Sequence, residues 1–340
     1  MRILVVHAWL RGNLGDVLQL SVLLSALREL KPQVLDLLGF PARPAAEAAD
    51  VLAFVDHYLA DPFAWYWKGS PRLVRKMLLE PRWRTRRKAL FSRYDAIVCA
   101  PGPYLADYDV RAPSALCDIT VASELGLPVV LSSHSVGPLP PEALAAVARS
   151  TVRIARESST YDYLRARGIS CVLSADLAFV YPYASKAGEG SIESPYRAIF
   201  LRSNNLDARA LRLDGGALFE GSRLIAEASN DRTVLATSDC RRDGRFLSIA
   251  ARRLGVPWVG CRTVSELVRL IGGSSGVVSD RYHPAICGAV LGKPAQVLSN
   301  REPHKMQGLR NLLADHTLDE LQGLARAGLS TLREVLRGAA

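Results

Sequence analysis

No apolar run in this 340-residue chain reaches the roughly 18–20 residues that a membrane-spanning helix needs. Cysteine is present but without useful spacing. The six residues Cys99, Cys117, Cys171, Cys240, Cys261 and Cys287 form no C-x-x-C pair, so neither a zinc site nor a disulfide framework is expected. Most of them lie in apolar stretches, where a free thiol packs as a small hydrophobe. The one glycine-rich turn near the start lacks the third glycine of a dinucleotide fingerprint, and no Walker lysine follows it. There is no short-period repeat and no low-complexity tract. The run from Met1 to His7 enters a strand-like pattern without the longer apolar stretch and cleavage site of a secretory signal, so a cytoplasmic protein is expected.

Acidic residues are nearly missing from one region. Between Lys68 and Arg93 ten basic residues face a single acid, Glu80, so this stretch supplies nine of the ten net positive charges and the rest of the chain carries one. The basic balance is therefore a local patch. The 49% of hydrophobic residues excludes a largely disordered chain, and the length exceeds one ordinary core, which points to two domains.

What is present is a repeated strand–loop–helix pattern. Short aliphatic runs at 3–8, 34–37, 95–100, 128–132 and 152–155 read as buried strands, with helical spacing at 17–30, 112–125 and 141–149. The stretch from Tyr181 to Tyr196, rich in Pro, Gly and Ser, reads as a linker. Beyond it, strands are expected at 198–201, 233–236, 257–260, 276–279 and 295–298. Helices are expected at 216–228, 245–254, 264–271 and 284–291, with a final long one over 318–336. Alternation of this kind predicts an α/β protein with parallel sheets. Its two runs predict two Rossmann-like domains facing a cleft, an N-terminal one over 1–182 and a C-terminal one over 196–315, followed by a helix at 318–337.

In such sheets ligands bind at the carboxyl ends of strands, so the loops after strands hold the candidates. Gly12-Asn13-Leu14-Gly15-Asp16 opens a helix after the first strand, either as a ligand-approach turn or with Asp16 as a plain cap. Tyr104 and His134 follow further strands, His134 as a hydrogen-bond donor to substrate or as a residue ordering its loop. Arg156, with Glu157, and Arg202, after Ile199-Phe200-Leu201, place guanidinium forks where a carboxylate or phosphate would sit; ion pairs at the surface are the other reading. The fullest set is Ser279-Asp280-Arg281-Tyr282-His283-Pro284. There Arg281 can hold an anion and His283 can move a proton, while Asp280 and Pro284 also suit a helix start. Lys305 opens a later segment and can neutralise a phosphate; a solvated lysine is the other reading.

The order of GNLGD, SHSVGPL, the ARE turn, SADLA at 174–178, SDRYHPAICGAVLGKP and the trailing Lys305 resembles the polysaccharide pyruvyl transferase family over about Arg2 to Leu313. The resemblance implies a GT-B-like fold and transfer of pyruvyl from phosphoenolpyruvate onto two hydroxyls of a sugar, making a ketal and releasing phosphate. It implies donor binding by Arg156, Arg202, Arg281 and Lys305 and catalysis by His283 with Arg281. It places Asn13, Gly15, Asp16, Tyr104 and His134 on the acceptor side or in the cleft. Phosphoenolpyruvate is then a co-substrate, and no cofactor or metal is expected. A doubly anionic three-carbon donor needs several converging cations, which these residues supply.

Aromatic residues Trp65, Tyr66, Trp67, Trp83 and Phe91 accompany the basic stretch over 65–93. That mixture suits an anionic membrane face or a lipid-linked sugar acceptor, and equally a solvated helical arm. No nucleic-acid module is recognisable. Two other functions fit parts of the pattern: a GT-B glycosyltransferase using a nucleotide-sugar donor, and a non-catalytic binder of anionic glycans or lipids.

Overall fold

A computed structural model describes residues 1–10, 12–40, 48–61, 81–107, 109, 111–185, 195–227, 229–298 and 303–339. In chain order the elements are β1 (Arg2–Trp9), α1 (Leu14–Arg28), β2 (Val34–Phe40), α2 (Ala49–Leu52), β3 (His57–Ala60), α3 (Pro81–Phe91), β4 (Ala96–Cys99), β5 (Gly102–Leu105), α4 (Ala112–Glu124), β6 (Val129–Val136), α5 (Pro141–Ala148), β7 (Val152–Ala155), α6 (Ser158–Arg165) and β8 (Val172–Leu173). There follow β9 (Tyr196–Phe200), β10 (Leu211–Asp214), β11 (Ala217–Glu220), β12 (Arg223–Ala226), β13 (Arg232–Thr237), α7 (Cys240–Leu254), β14 (Trp258–Gly260), α8 (Val264–Gly272), β15 (Gly276–Ser279), α9 (Tyr282–Val290), β16 (Ala295–Val297), α10 (Pro303–Asp315) and α11 (Leu318–Gly338).

The chain forms two compact units. Unit 1 gathers Met1–Arg11, Gln19–Val180 and Asp319–Ala340; unit 2 gathers Gly12–Leu18 and Tyr181–Leu318. The final helix, set apart in the sequence reading, thus clusters with unit 1, and the glycine-turn segment clusters with unit 2.

Unit 1 is built on an eight-stranded sheet with the path β3-β2-β1-β4-β6-β7-β8, β5 adding to β6, and every pairing is parallel. Ile3, Leu4, Val5 and Val6 of β1 are all fully buried. A strand covered on both faces reads as a continuous aliphatic run, which is why no alternation is visible there. The core continues through Ile97, Val129, Leu131, Phe91, Ile119 and Val121. The amphipathic α11 lays Leu321, Ala325, Leu329, Leu332 and Leu336 into this unit, and Ser174 Oγ donates to its Leu324 carbonyl at 3.1 Å.

Unit 2 holds a five-stranded parallel sheet, β14-β13-β9-β15-β16, and a separate antiparallel meander, β10-β11-β12. The helix expected over 216–228 does not form. Gly215, Gly216 and Gly221 adopt positive φ (+53°, +79° and +59°), which turns the chain back twice. α7 ends on Gly255 in the left-handed conformation, and α8 starts with a capping box between Thr263 and Glu266.

Of the basic stretch, 65–80 lies outside the described residues. In the part that is described, three of the six basic residues are paired within unit 1. Arg87 is buried against Asp61 and Asp118, and Arg84 and Lys88 both pair with Glu124. No helix among the described residues is long and apolar enough to cross a membrane.

Candidate active site

The carboxyl ends of β9, β13, β15 and β16 all lie on one edge of the unit 2 sheet, because the pairings are parallel. That edge carries Arg202 after β9, Ser238 and Asp239 after β13, and Asp280 to His283 after β15. Lys305 lies in α10, which follows β16.

Asp280 organises the first of these loops. Its Oδ2 accepts from the Arg202 backbone N–H at 3.1 Å and from Asn205 Nδ2 at 2.9 Å. Burial raises its carboxyl pKa, against the pull of these donors and of the Arg281 and Arg202 charges. Ser279 Oγ accepts from the Arg281 N–H at 2.9 Å and holds the strand-to-helix turn. Arg281 precedes α9 at its N-cap position without capping it through a side chain, so the first-turn N–H groups face outward from the helix end. Its guanidinium is gripped by Asp243 and lies 3.7 Å from Asp239, while its Nε meets no hydrogen-bond partner among the described residues. Burial raises the pKa of Asp239, opposed by the Arg281 charge.

His283 is only 6% exposed. A Cβ placed on Gly15 would come within 1.9 Å of its Nδ1, so the glycine lets the first turn of α1 lie directly on the imidazole. Asn13 and Asp16 brace that turn: Asn13 Oδ1 accepts from the Gly15 N–H at 3.2 Å, and Asn13 Nδ2 donates to Asp16 at 2.9 Å. The Leu14 N–H donates to the Ser238 carbonyl at 2.9 Å. Tyr282 stacks edge-on against His283 at 5.5 Å, and Lys305 Nζ lies 5.2 Å from the Tyr282 ring centroid.

The structure therefore gathers Arg202, Arg281, His283 and Lys305 in one unit, with Asn13, Gly15 and Asp16 among them. These last three were expected on the acceptor side or in the cleft; they belong to unit 2. Arg156 is not part of the set. It lies in unit 1, fully buried, with Nε on Glu157 at 3.1 Å and Ser135 Oγ at 2.7 Å and Nη1 on Asp176 at 3.0 Å. A guanidinium so enclosed serves as a structural ion pair. Tyr104 and His134 are also in unit 1 and hydrogen-bonded to each other at 2.7 Å, buried to 2% and 1% exposure. They support their loops, the Tyr104 hydroxyl also donating to the Ala100 carbonyl at 2.7 Å. Sequence reasoning missed Asp239, Asp243 and Asn205. The signal was there in Ser238-Asp239-Cys240-Arg241-Arg242-Asp243, two acids four residues apart across a strand-to-helix turn.

Comparison with known proteins adds one decisive observation. The profile of the family described as polysaccharide pyruvyl transferase matches residues 13–302. The chain belongs to this family. The polysaccharide pyruvyl transferase match starts within the GNLGD turn, includes Arg202, Arg281 and His283, and ends just before Lys305. No curated protein matches the chain. Among solved structures, UDP-GlcNAc 2-epimerase of Methanocaldococcus jannaschii, in complex with UDP-GlcNAc and UDP, superposes with a TM-score of 0.60 at 13% identity, covering 99% of this chain and 100% of that one. The Rickettsia bellii UDP-N-acetylglucosamine 2-epimerase gives 0.59 at 14% identity, covering 100% and 97%. These likenesses concern the fold alone. They place this pyruvyl transferase family member in the GT-B class, with two Rossmann-like domains.

Proposed function

We propose that the chain moves a pyruvyl group from phosphoenolpyruvate onto two hydroxyls of a sugar in a glycan or a lipid- or nucleotide-linked saccharide, forming a ketal and releasing phosphate. The observation that carries this reading is the gathering of Arg202, Arg281, His283 and Lys305 around the β15–α9 turn of unit 2. Two features support anion binding there. The α9 N-terminus offers backbone N–H groups, and the Arg281 Nε is a buried donor with no partner among the described residues. The two carboxylates hold the Arg281 Nη atoms and fix its plane, which leaves Nε as the donor for a carboxylate or phosphate.

Chemistry follows from the donor. Its methylene carbon must gain a proton for C2 to accept the first hydroxyl, and the phosphate must leave as the second hydroxyl closes the ring. His283, held by Gly15 and Tyr282 beside Arg281, is the group suited to deliver a proton on this side. His283→Ala is expected to lower turnover by roughly 10²–10⁴-fold while the protein stays folded. Near-parental turnover removes His283 from the mechanism.

The deciding assay is phosphate release from phosphoenolpyruvate across a panel of sugar acceptors, with the product identified by mass. Release of a nucleoside diphosphate from a nucleotide sugar, with none of phosphate from phosphoenolpyruvate, overturns the reading in favour of glycosyl transfer. A lipid-linked acceptor predicts co-sedimentation with anionic vesicles through the basic stretch; absence of binding at low salt removes that part.

A further inference from the structure

Around the β15–α9 turn of unit 2 positive and negative side chains balance. Arg202, Arg281 and Lys305 stand there with Asp239, Asp243 and Asp280, and the formal charges of these cations and carboxylates cancel. The three carboxylates are buried, so water does little to screen them. Asp239 and Asp243 face the Arg281 guanidinium, and Asp280 feels the charges of both Arg202 and Arg281. Phosphoenolpyruvate brings two anionic groups, a carboxylate and a phosphate, both ionised at neutral pH. A set without surplus positive charge offers such a donor little Coulomb gain against the cost of taking it out of water.

One cation at the same edge is uncommitted. Arg241 is the second residue of α7, the helix that follows β13. The start of this helix is firmly held. Asp239 caps it, the side chain accepting from the Arg242 N–H at 3.2 Å, and Cys240 Sγ donates to the Cys261 carbonyl at 3.2 Å. Arg241 itself is exposed, and among the described residues its side chain enters no ion pair or hydrogen bond.

The glycine turn makes room for it. Gly12 has a φ of +80°, which suits glycine, and a Cβ there would meet Arg241 Cδ at 3.1 Å and Cγ at 3.2 Å, with Asp239 Oδ1 at 3.6 Å. Three positions on, Gly15 admits His283 in the same way. A single short turn of unit 2 thus rests on Arg241 at one glycine and on His283 at the other. Asp239 joins the two sides: its Oδ1 faces Gly12 and its Oδ2 lies 3.7 Å from Arg281 Nη1. Arg241, Asp239, Arg281 and His283 therefore border one turn.

The two arginines differ in what they have left to give. Arg281 has its Nη atoms held by Asp239 and Asp243 and keeps Nε beside the first turn of α9, where backbone N–H groups suit a phosphate. Arg241 has its stem packed on Gly12 and its whole fork unspent, and a fork of that kind matches a carboxylate through two parallel N–H donors. We propose that Arg241 binds the carboxylate of phosphoenolpyruvate, across the glycine turn from the phosphate held at Arg281 and the α9 N-terminus. This rests on the transfer reading above. Arg241 then supplies the surplus positive charge that the donor needs. It also sorts the two anionic groups by the shape of their receptors. C2, which carries both groups, is fixed between the two arginines on the side where His283 lies.

The test uses the full chain and reads binding apart from turnover. Arg241→Met keeps an apolar stem over Gly12 and removes the fork. Its Kd for phosphoenolpyruvate, measured by calorimetry, is expected to rise roughly 10–100-fold, as for loss of a charge-assisted pair. Its Kd for inorganic phosphate is expected to stay within about twofold of the parent, because only the carboxylate contact is lost. Arg241→Lys restores the charge without the fork and is expected to recover only part of the phosphoenolpyruvate affinity. Arg245→Met controls for net charge. Arg245 is exposed on the same helix but lines a hollow with Arg209 and Phe246, and its loss is expected to leave both constants within about twofold. Four results overturn the proposal: parental phosphoenolpyruvate affinity in Arg241→Met, an equal weakening of inorganic phosphate, full recovery in Arg241→Lys, or the same loss in Arg245→Met. A parent that does not bind phosphoenolpyruvate fails the transfer reading and takes the proposal with it. A parent that binds it, and loses nothing in Arg241→Met, fails the proposal alone.

Discussion

At the residue scale, whether a strand-end arginine serves a ligand depends on what encloses it. Arg156 and Arg202 both follow a buried strand. Arg156 is set apart by Glu157 beside it in sequence and by Asp176 and Gln19, which come from separate stretches. Arg156→Ala leaves two buried carboxylates unpaired and is expected to cost about 3–5 kcal/mol of stability, read as a lower urea midpoint. An unchanged midpoint with a raised phosphoenolpyruvate KM returns Arg156 to the donor set. Gly15 shows the converse. Its φ is not in the positive range, so alanine suits its backbone, yet the added methyl collides with His283. Gly15→Ala is expected to lower turnover at least about tenfold, through a shift of the imidazole of the kind that a misplacement near 1 Å produces. Parental kinetics in that variant separates Gly15 from the site. The glycine turn was visible in the sequence; that its purpose is to admit His283, 268 positions later by residue number, was not.

At the element scale, the parallel strands were legible because each is buried on both faces and reads as an aliphatic run. The stretch 211–226 was not. Its spacing of apolar residues, Leu218, Ile225 and Ala226, fits a helix as well as a meander, and the Asp214-Gly215-Gly216 and Glu220-Gly221-Ser222 turns decide for strands. β3 and β8 escaped because they are short and only half-buried. The long C-terminal helix was plain from its pattern, but its docking was not, since a stripe does not name its partner. Gly328 marks the contact: a Cβ there would meet Ser174 Oγ at 2.4 Å and Ile154 at 3.1 Å. Gly328→Ala is expected to destabilise by roughly 1–3 kcal/mol despite its better helix propensity, because α11 must lift from unit 1. A raised Tm in this variant refutes that close approach.

At the scale of the whole molecule, buried ionisable groups set how stability responds to pH. His7 and His134 are held neutral by burial, His134 with its pKa lowered from 6.5 to about 3. Depressed imidazoles favour the native state above pH 6.5 and lose that contribution as pH falls toward their folded values. Asp118 acts in the opposite sense: raised from 3.8 to about 7, it contributes below 3.8 and loses its contribution as pH rises through 7. Asp239 and Asp280, also raised by burial, act in the same sense as Asp118. His134→Gln removes one of the opposing imidazoles and is expected to shift the change in Tm from pH 6.5 to 4 toward greater stability at pH 4 than in the parent; an identical slope shows that His134 titrates normally.

The division of the chain has a consequence for how it is made. The chain passes from one unit to the other after residues 11, 18, 180 and 318. During synthesis the first unit begins with the opening strand but lacks its last helix until residues 318–338 have been made. A ribosome therefore releases nearly all of the second unit while the first still shows the apolar groove meant for Leu321, Leu329 and Leu336. A nascent chain stopped before α11 is a client for chaperones and proteases rather than a half-enzyme.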